Sequence, residues 1–238
     1  MNLKDSNIVI TGAASGIGRA VALLLAYDDT NLIIIDKSKK ELKDLKKEID
    51  SIGRNCFAVE CDISDEKQVK KSIQEIIKKY RKIDALINDA GILEKGKSYK
   101  IDPKKWKRVI DVNLFGTFLC CRYALPHMIK RKDGYIVNIS SVYGKRGSSD
   151  SSAYCSSKFG IRGLSQSIFD EVRKYNVKVS IVCPDTTKTH LFDKKDYHPN
   201  FNKSLKTEDI AVAIRNVLTV NANAVIGEID VVALHRPY

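Results

Sequence analysis

Strand and helix signals alternate along the whole chain, and this alternation constrains the fold more than any other feature. Asn7, Ile8, Val9 and Ile10 form a short apolar run that stops at Thr11-Gly12, as a buried strand does. Residues 16–27 follow, with Ile17, Val21, Leu24 and Leu25 at helical spacing. Further apolar runs at 31–36, 55–61, 83–89, 135–141, 177–183 and 225–233 read as strands. Between them, 39–52, 65–80, 102 to about 132, 154–175 and 208–218 read as helices. Ser64 is the expected N-cap of the third helix. Pro103 suits the first turn of the long fourth helix, and Pro126 is expected to kink or break its end.

Alternating strands and helices imply crossover connections and a parallel sheet covered on both faces. The expected fold class is therefore α/β. It is a single-domain, doubly wound Rossmann-type parallel sheet flanked by helices, spanning residues 1–238. Ligands of such sheets sit at the carboxyl ends of the strands. The longest stretch without periodicity, 185–206, leaves a strand on that side and is the expected substrate loop.

A hydrophobic fraction of 43% and a charged fraction of 29% exclude disordered and membrane compositions. No apolar run approaches the ~20 residues of a membrane helix. The first residues lack a signal-peptide layout, so a cytoplasmic protein is expected. The net charge of +12 is spread over helices and loops in which acids are mixed, as solvated helix faces are. Nucleic acid is thus not an expected partner, whereas an acidic carrier protein remains one. Cys56, Cys61, Cys120, Cys121, Cys155 and Cys183 form no CxxC pair and no metal-ligand spacing with histidine. Reduced thiols and no metal are expected, and Cys155 draws notice only because it follows Tyr154.

Thr11-Gly12-Ala13-Ala14-Ser15-Gly16-Ile17-Gly18 joins the first strand to the first helix. Glycines permit a tight turn and a close backbone approach, and a helix start offers free N–H groups to phosphates. Gly12, Ser15, Gly16, Ile17 and Gly18 are the candidate pyrophosphate contacts. Asp36, at the end of the second strand, can accept hydrogen bonds from ribose hydroxyls and would repel a 2′-phosphate. It favours NAD over NADP, and Lys37 beside it softens that preference.

Tyr154 and Lys158 lie four apart on one helix face, where an ammonium favours the phenolate. Ser140 and Ser141 end the fifth strand, and Asn113 lies within the long helix. Together these residues resemble the short-chain dehydrogenase/reductase family over essentially the full length. The resemblance makes Asn113, Ser141, Tyr154 and Lys158 the catalytic tetrad. It makes Asp62 with Ile63 the adenine contact, and Asn88, Ala90 and Gly91 part of the cofactor turn. It makes Pro184 and Thr189 the segment holding the nicotinamide end. Two positions depart from the family pattern: Asp89 replaces an asparagine, and Asp185 replaces a glycine. The common Asp-Gly-Gly ending is also missing.

The resemblance implies interconversion of a secondary alcohol and a ketone with NAD, or alternatively NADP. Ser141 would hydrogen-bond the substrate oxygen, and Tyr154 would act as acid/base. Lys158 would hold the ribose, and Asn113 would position a water linked to Lys158. Two rival readings stand beside it. One is an NADPH-dependent 3-ketoacyl-carrier-protein reductase; the other is a non-enzymatic dinucleotide sensor or scaffold. Loops 94–100, 142–152 and 185–206 are the expected substrate walls, with Lys95, Tyr99, Tyr143, Arg146, His190, Phe192 and Tyr197. Lys145, Arg146 and Lys188 are candidates to receive an anionic substrate. A homodimer or homotetramer is implied, with Phe115, Phe118, Leu119, Leu164, Ile168 and Phe169 as candidate contacts or, equally, as core.

Overall fold

The computed structural model describes residues 1–189, 191 and 201–235. Within them, one sheet runs in the order β3-β2-β1-β4-β5-β6-β7, with every neighbouring pair parallel. The strands are β1 (Asn7–Thr11), β2 (Asn31–Asp36), β3 (Cys56–Glu60), β4 (Ala85–Asn88), β5 (Gly134–Ile139), β6 (Val177–Pro184) and β7 (Glu228–Val231). The helices are α1 (Gly16–Ala26), α2 (Lys39–Ser51), α3 (Glu66–Tyr80), α4 (Pro103–Ile110), α5 (Gly116–Arg131), α6 (Ser152–Val172) and α7 (Thr207–Thr219).

The central strands are apolar throughout because both of their faces are covered. Successive strand residues point to opposite faces. Ile8 and Ile10 pack with Leu25 of α1, Leu45 of α2 and Ile214 of α7. Val9 packs with Ile73 of α3, Leu119 of α5 and Ile168 of α6. Leu119 and Ile168 are therefore core residues, and Leu164 and Phe169 pack against the same cluster. Phe115 and Phe118 remain exposed, with their rings stacked at 6.0 Å.

The chain grows outward in one direction from β1 to β3 and in the other from β4 to β7. The reversal leaves a crevice between β1 and β4 at their carboxyl ends, where such sheets bind ligands.

Two local expectations are corrected. The α3 cap is Asp65, which accepts from the backbone N–H groups of Lys67 and Gln68 at 2.9 and 3.2 Å. Ser64 is drawn away because its hydroxyl donates to Asp62 Oδ1 at 2.6 Å. Pro126 does not break α5, which continues to Arg131. The interruption of the long helix lies upstream, where Asp111–Phe115 form a π-helical turn. Such turns widen the backbone spiral and are frequent at functional positions. Here the Thr117 hydroxyl bonds the Asn113 carbonyl at 2.7 Å and supports the widened turn. His190, Phe192 and Tyr197 lie outside the described residues, as does 236–238.

Candidate active site

A cleft of about 790 Å³ opens over the β1/β4 crevice. Its two ends are built from different parts of the chain.

One end is the Gly-rich turn. Gly12 adopts φ +68°, and a Cβ there would lie 2.7 Å from the Ala90 backbone. A Cβ on Gly18 would lie 2.4 Å from the Gly12 carbonyl oxygen. Only glycine fits at these positions, so the turn presses tightly against the β4 exit and the start of α1. Ser15 is extended and gives α1 no side-chain cap, and Gly16 and Ile17 line the cleft. A helix start in this state suits an anion.

Asp36 is fixed beside this turn. Its Oδ2 accepts from the Ala14 N–H at 3.2 Å, and its Oδ1 accepts from the Ser38 N–H at 3.0 Å. Lys37 and Glu41 share that wall. Asp62 is held by the Ser64 hydroxyl and by Arg108, whose Nη2 donates to Oδ2 at 2.6 Å. Burial pushes the Asp62 carboxyl up, but Ser64 and Arg108 together hold it below the usual carboxylate range. Ile63 and Val112 add apolar surface. Sequence reasoning missed Arg108. Its one trace is its place four residues before Val112, on the same face of the helical segment.

At the other end, α6 presents Tyr154 and Lys158 to the cleft, and Ser141 faces them from the end of β5. Ser141 Oγ accepts the Tyr143 N–H at 3.1 Å and donates to the Pro184 carbonyl at 3.4 Å. Burial pushes the Tyr154 hydroxyl well above its ordinary range, and the neighbouring Ser141 hydroxyl opposes this in part. Lys158 is buried, and its Nζ donates to the Ile139 carbonyl at 2.7 Å. Burial lowers it to about 8, with Asp89 pulling the other way. The Lys158 ammonium lies 5.6 Å from the Tyr154 ring centre. Tyr143 meets Tyr154 edge-on at 6.5 Å.

Asn113, fully buried in the π-helical turn, does not line the cleft. Its Oδ1 accepts from the Ile92 N–H at 2.8 Å. Its Nδ2 donates to the Ile92 carbonyl at 2.9 Å and the Ser157 hydroxyl at 3.1 Å. Ser157 in turn donates to the Tyr154 carbonyl at 2.7 Å. The side chain thus ties the β4 exit loop to the helix carrying Tyr154.

Gly18 and Asn88 also stand behind the cleft wall. Asn88 belongs to a buried polar ladder, donating to Asn138 Oδ1 at 2.8 Å, while Asn138 donates to Ser165 at 2.8 Å. Ala90, Gly91, Pro184 and Thr189 do line the cleft. Asp185 lines it as well, and its Oδ1 accepts the Thr186 N–H at 2.7 Å. Its backbone is not left-handed, so this bend tolerates a side chain where the family carries glycine.

Lys145 is not available to a substrate, because its ammonium pairs with Glu228 and Asp230 at β7. Arg162 pairs with Glu228 at 2.9 Å and donates to the Gly144 carbonyl at 3.1 Å. Cys183, Glu228 and Asp230 bring three metal-ligating atoms within 4.8 Å of one another, and Lys145 already sits on both of these carboxylates.

Comparison with known proteins now defines the class. The sequence matches the short chain dehydrogenase family over residues 6–200, and the chain belongs to that family. It is 35% identical over 194 residues to a 3-oxoacyl-[acyl-carrier-protein] reductase of Thermotoga maritima, covering 82% of this chain and 79% of that protein. It is 30% identical over 233 residues to an uncharacterized oxidoreductase of Staphylococcus aureus, covering 96% and 97% of the two chains. Among solved structures, a metagenomic short-chain oxidoreductase in complex with NADP superposes with a TM-score of 0.87 at 28% identity, covering 99% of this chain and 100% of that one. A 3-oxoacyl-[acyl-carrier protein] reductase from Brucella melitensis with bound NAD superposes at 0.85 and 27% identity, covering 97% and 91%.

Proposed function

We propose that this oxidoreductase interconverts a ketone and a secondary alcohol, with Tyr154 as the acid/base and NAD(H) as the redox partner. The observation that carries this reading is that Ser141, Tyr154 and buried Lys158 line one cleft together with the Gly-rich turn. Gly12, Ser15, Gly16 and Ile17 line the cleft at the start of α1, and a helix start there supports the diphosphate of a dinucleotide. Gly12, Ser15, Gly16 and Ile17 would hold its diphosphate, and Asp36 its adenosine ribose. Asp62 and Ile63 would border the adenine, and Ala90, Gly91, Pro184 and Thr189 the nicotinamide end. When bound, the nicotinamide supplies or takes up a hydride.

Each protein group has a defined task. Ser141 donates a hydrogen bond to the substrate oxygen. Tyr154 is protonated at neutral pH, because burial raises it, and gives up its proton as charge develops on that oxygen. Lys158, at about 8, is mostly protonated at pH 7 and favours the phenolate left behind. Asn113 holds the register between α6 and the β4 exit. Asp36 and Glu41 favour NAD, with NADP through Lys37 as the alternative. Exposed Phe115 and Phe118 support a homodimer or homotetramer. Six free cysteines support a reducing compartment, the cytoplasm. Among the described residues, no helix is long and apolar enough to cross a membrane.

A narrower substrate, a 3-oxoacyl group on an acidic carrier, is favoured by the names of the relatives and by the net charge of +12. One experiment tests both levels. NAD(P)H oxidation is followed with simple ketones and with 3-oxoacyl carrier protein, for the parent and Tyr154→Phe. The variant is expected to lose at least about 100-fold in kcat while binding NADH like the parent. Substantial turnover by Tyr154→Phe overturns the assignment. Turnover confined to the carrier-bound substrate selects the narrower reading. NADH binding without turnover of any substrate selects the sensor reading.

A further inference from the structure

Asp89 leaves β4 directly into the cleft, next to the Gly-rich turn. Its Oδ2 accepts the Gly18 N–H at 2.7 Å. Gly18 is the third residue of α1, so this is one of the unpaired donors at the helix start. A carboxylate thus already holds part of the positive helix end that a diphosphate would use. The charged groups facing it are Lys158 and Tyr154 of α6 and Asp36 of β2. Lys158 attracts the carboxylate, whereas Asp36 repels it. A second anion at the same helix end strengthens that repulsion.

We propose that Asp89 is a proton-accepting positioning residue: as a carboxylate it keeps buried Lys158 charged in the empty cleft, and it takes up one proton from solvent when a dinucleotide's diphosphate enters. The inference rests on the dinucleotide reading above and names a titration that reading does not contain. Protonation converts the carboxylate to a carboxyl with no transfer of electrons. Oδ2 continues to accept the Gly18 N–H while Oδ1 carries the proton. Burial places the carboxyl at about 6, with Lys158 and the Gly18 N–H opposing the rise and Asp36 adding to it. While Asp89 is a carboxylate, Lys158 stands at about 8, burial lowering it and Asp89 raising it.

The test is calorimetry of NADH binding at pH 6.5 in two buffers of different ionisation enthalpy. The parent is compared with Asp89→Asn, whose amide oxygen can still accept from Gly18. The parent is expected to take up protons on binding, and the variant less than half as many. The parent's Kd is expected to rise toward tenfold per pH unit above about 6, as loss of one linked proton requires. Equal uptake in the two proteins overturns the proposal. So does a parent Kd that is flat from pH 5.5 to 7.5, a measurement that needs no variant. If neither protein binds NADH or NADPH at any pH, the dinucleotide reading falls and takes this inference with it.

Discussion

The two ends of the cleft are built of different materials. Over β1 and the start of α1, the walls are backbone: glycines packed to within contact of Ala90 and of each other, and a helix start that Ser15 does not cap. Over β5 and α6, the cleft is lined by side chains, Ser141, Tyr154 and Lys158. The difference predicts two kinds of failure. The backbone end fails sterically, and folding and binding are lost together. The side-chain end fails chemically, and leaves a folded protein that binds without reacting.

Gly18→Ala should show the largest effect and is the sharpest way to break this distinction. The added Cβ would meet the Gly12 carbonyl oxygen at 2.4 Å and carbon at 2.9 Å, and backbone cannot swing aside as a flexible side chain does. A cost of about 1–3 kcal/mol is expected in urea unfolding, together with loss of NADH binding. Parental stability in this variant would put both ends of the cleft in one class. Asp36→Ala is next, because it deletes a side chain from the backbone end. The ratio of NADPH to NADH affinity should rise about tenfold, or about 1.4 kcal/mol, in fluorescence titrations. An unchanged ratio would move cofactor choice to Lys37 and Glu41. Asp65→Ala is the smallest. It removes the α3 cap one turn beyond the cleft-lining Asp62, and should cost about 1 kcal/mol with little change in NADH affinity. A shift in affinity would mean that α3 communicates with the cleft.

The sheet was legible because buried parallel strands are unbroken apolar runs, and the Gly-rich turn because its spacing sits between a strand and a helix. Local choices between similar residues were not. Ser64 and Asp65 are both good caps, and what decides between them is that Arg108, 46 positions from Asp62, gathers Asp62 and Ser64 into one cluster. Pro126 carries a strong sequence signal and leaves the helix unbroken, whereas the π-helical turn at Asn113 carries none. The turn is supported by Ile92 and Ser157, both distant in sequence. Lys145 reads as an exposed loop cation until β7, 85 positions away, brings Asp230 to it. Asp89 was visible as a departure from the family pattern. Its contact with the Gly18 N–H comes from a turn 71 positions earlier.

The parallel register of the sheet also sets an order in time. No two of its strands are joined by a hairpin, so each pairing waits for a crossover to close, and such non-local topologies assemble slowly. The β1–β4 seam beneath the cleft joins distant parts of the chain, with the Asn7 N–H bonded to Asp84 across 77 positions at its amino end. A ligand bridging that seam meets nothing to bind until the two halves have joined. It therefore prolongs the life of the finished molecule and leaves the pace of its assembly untouched.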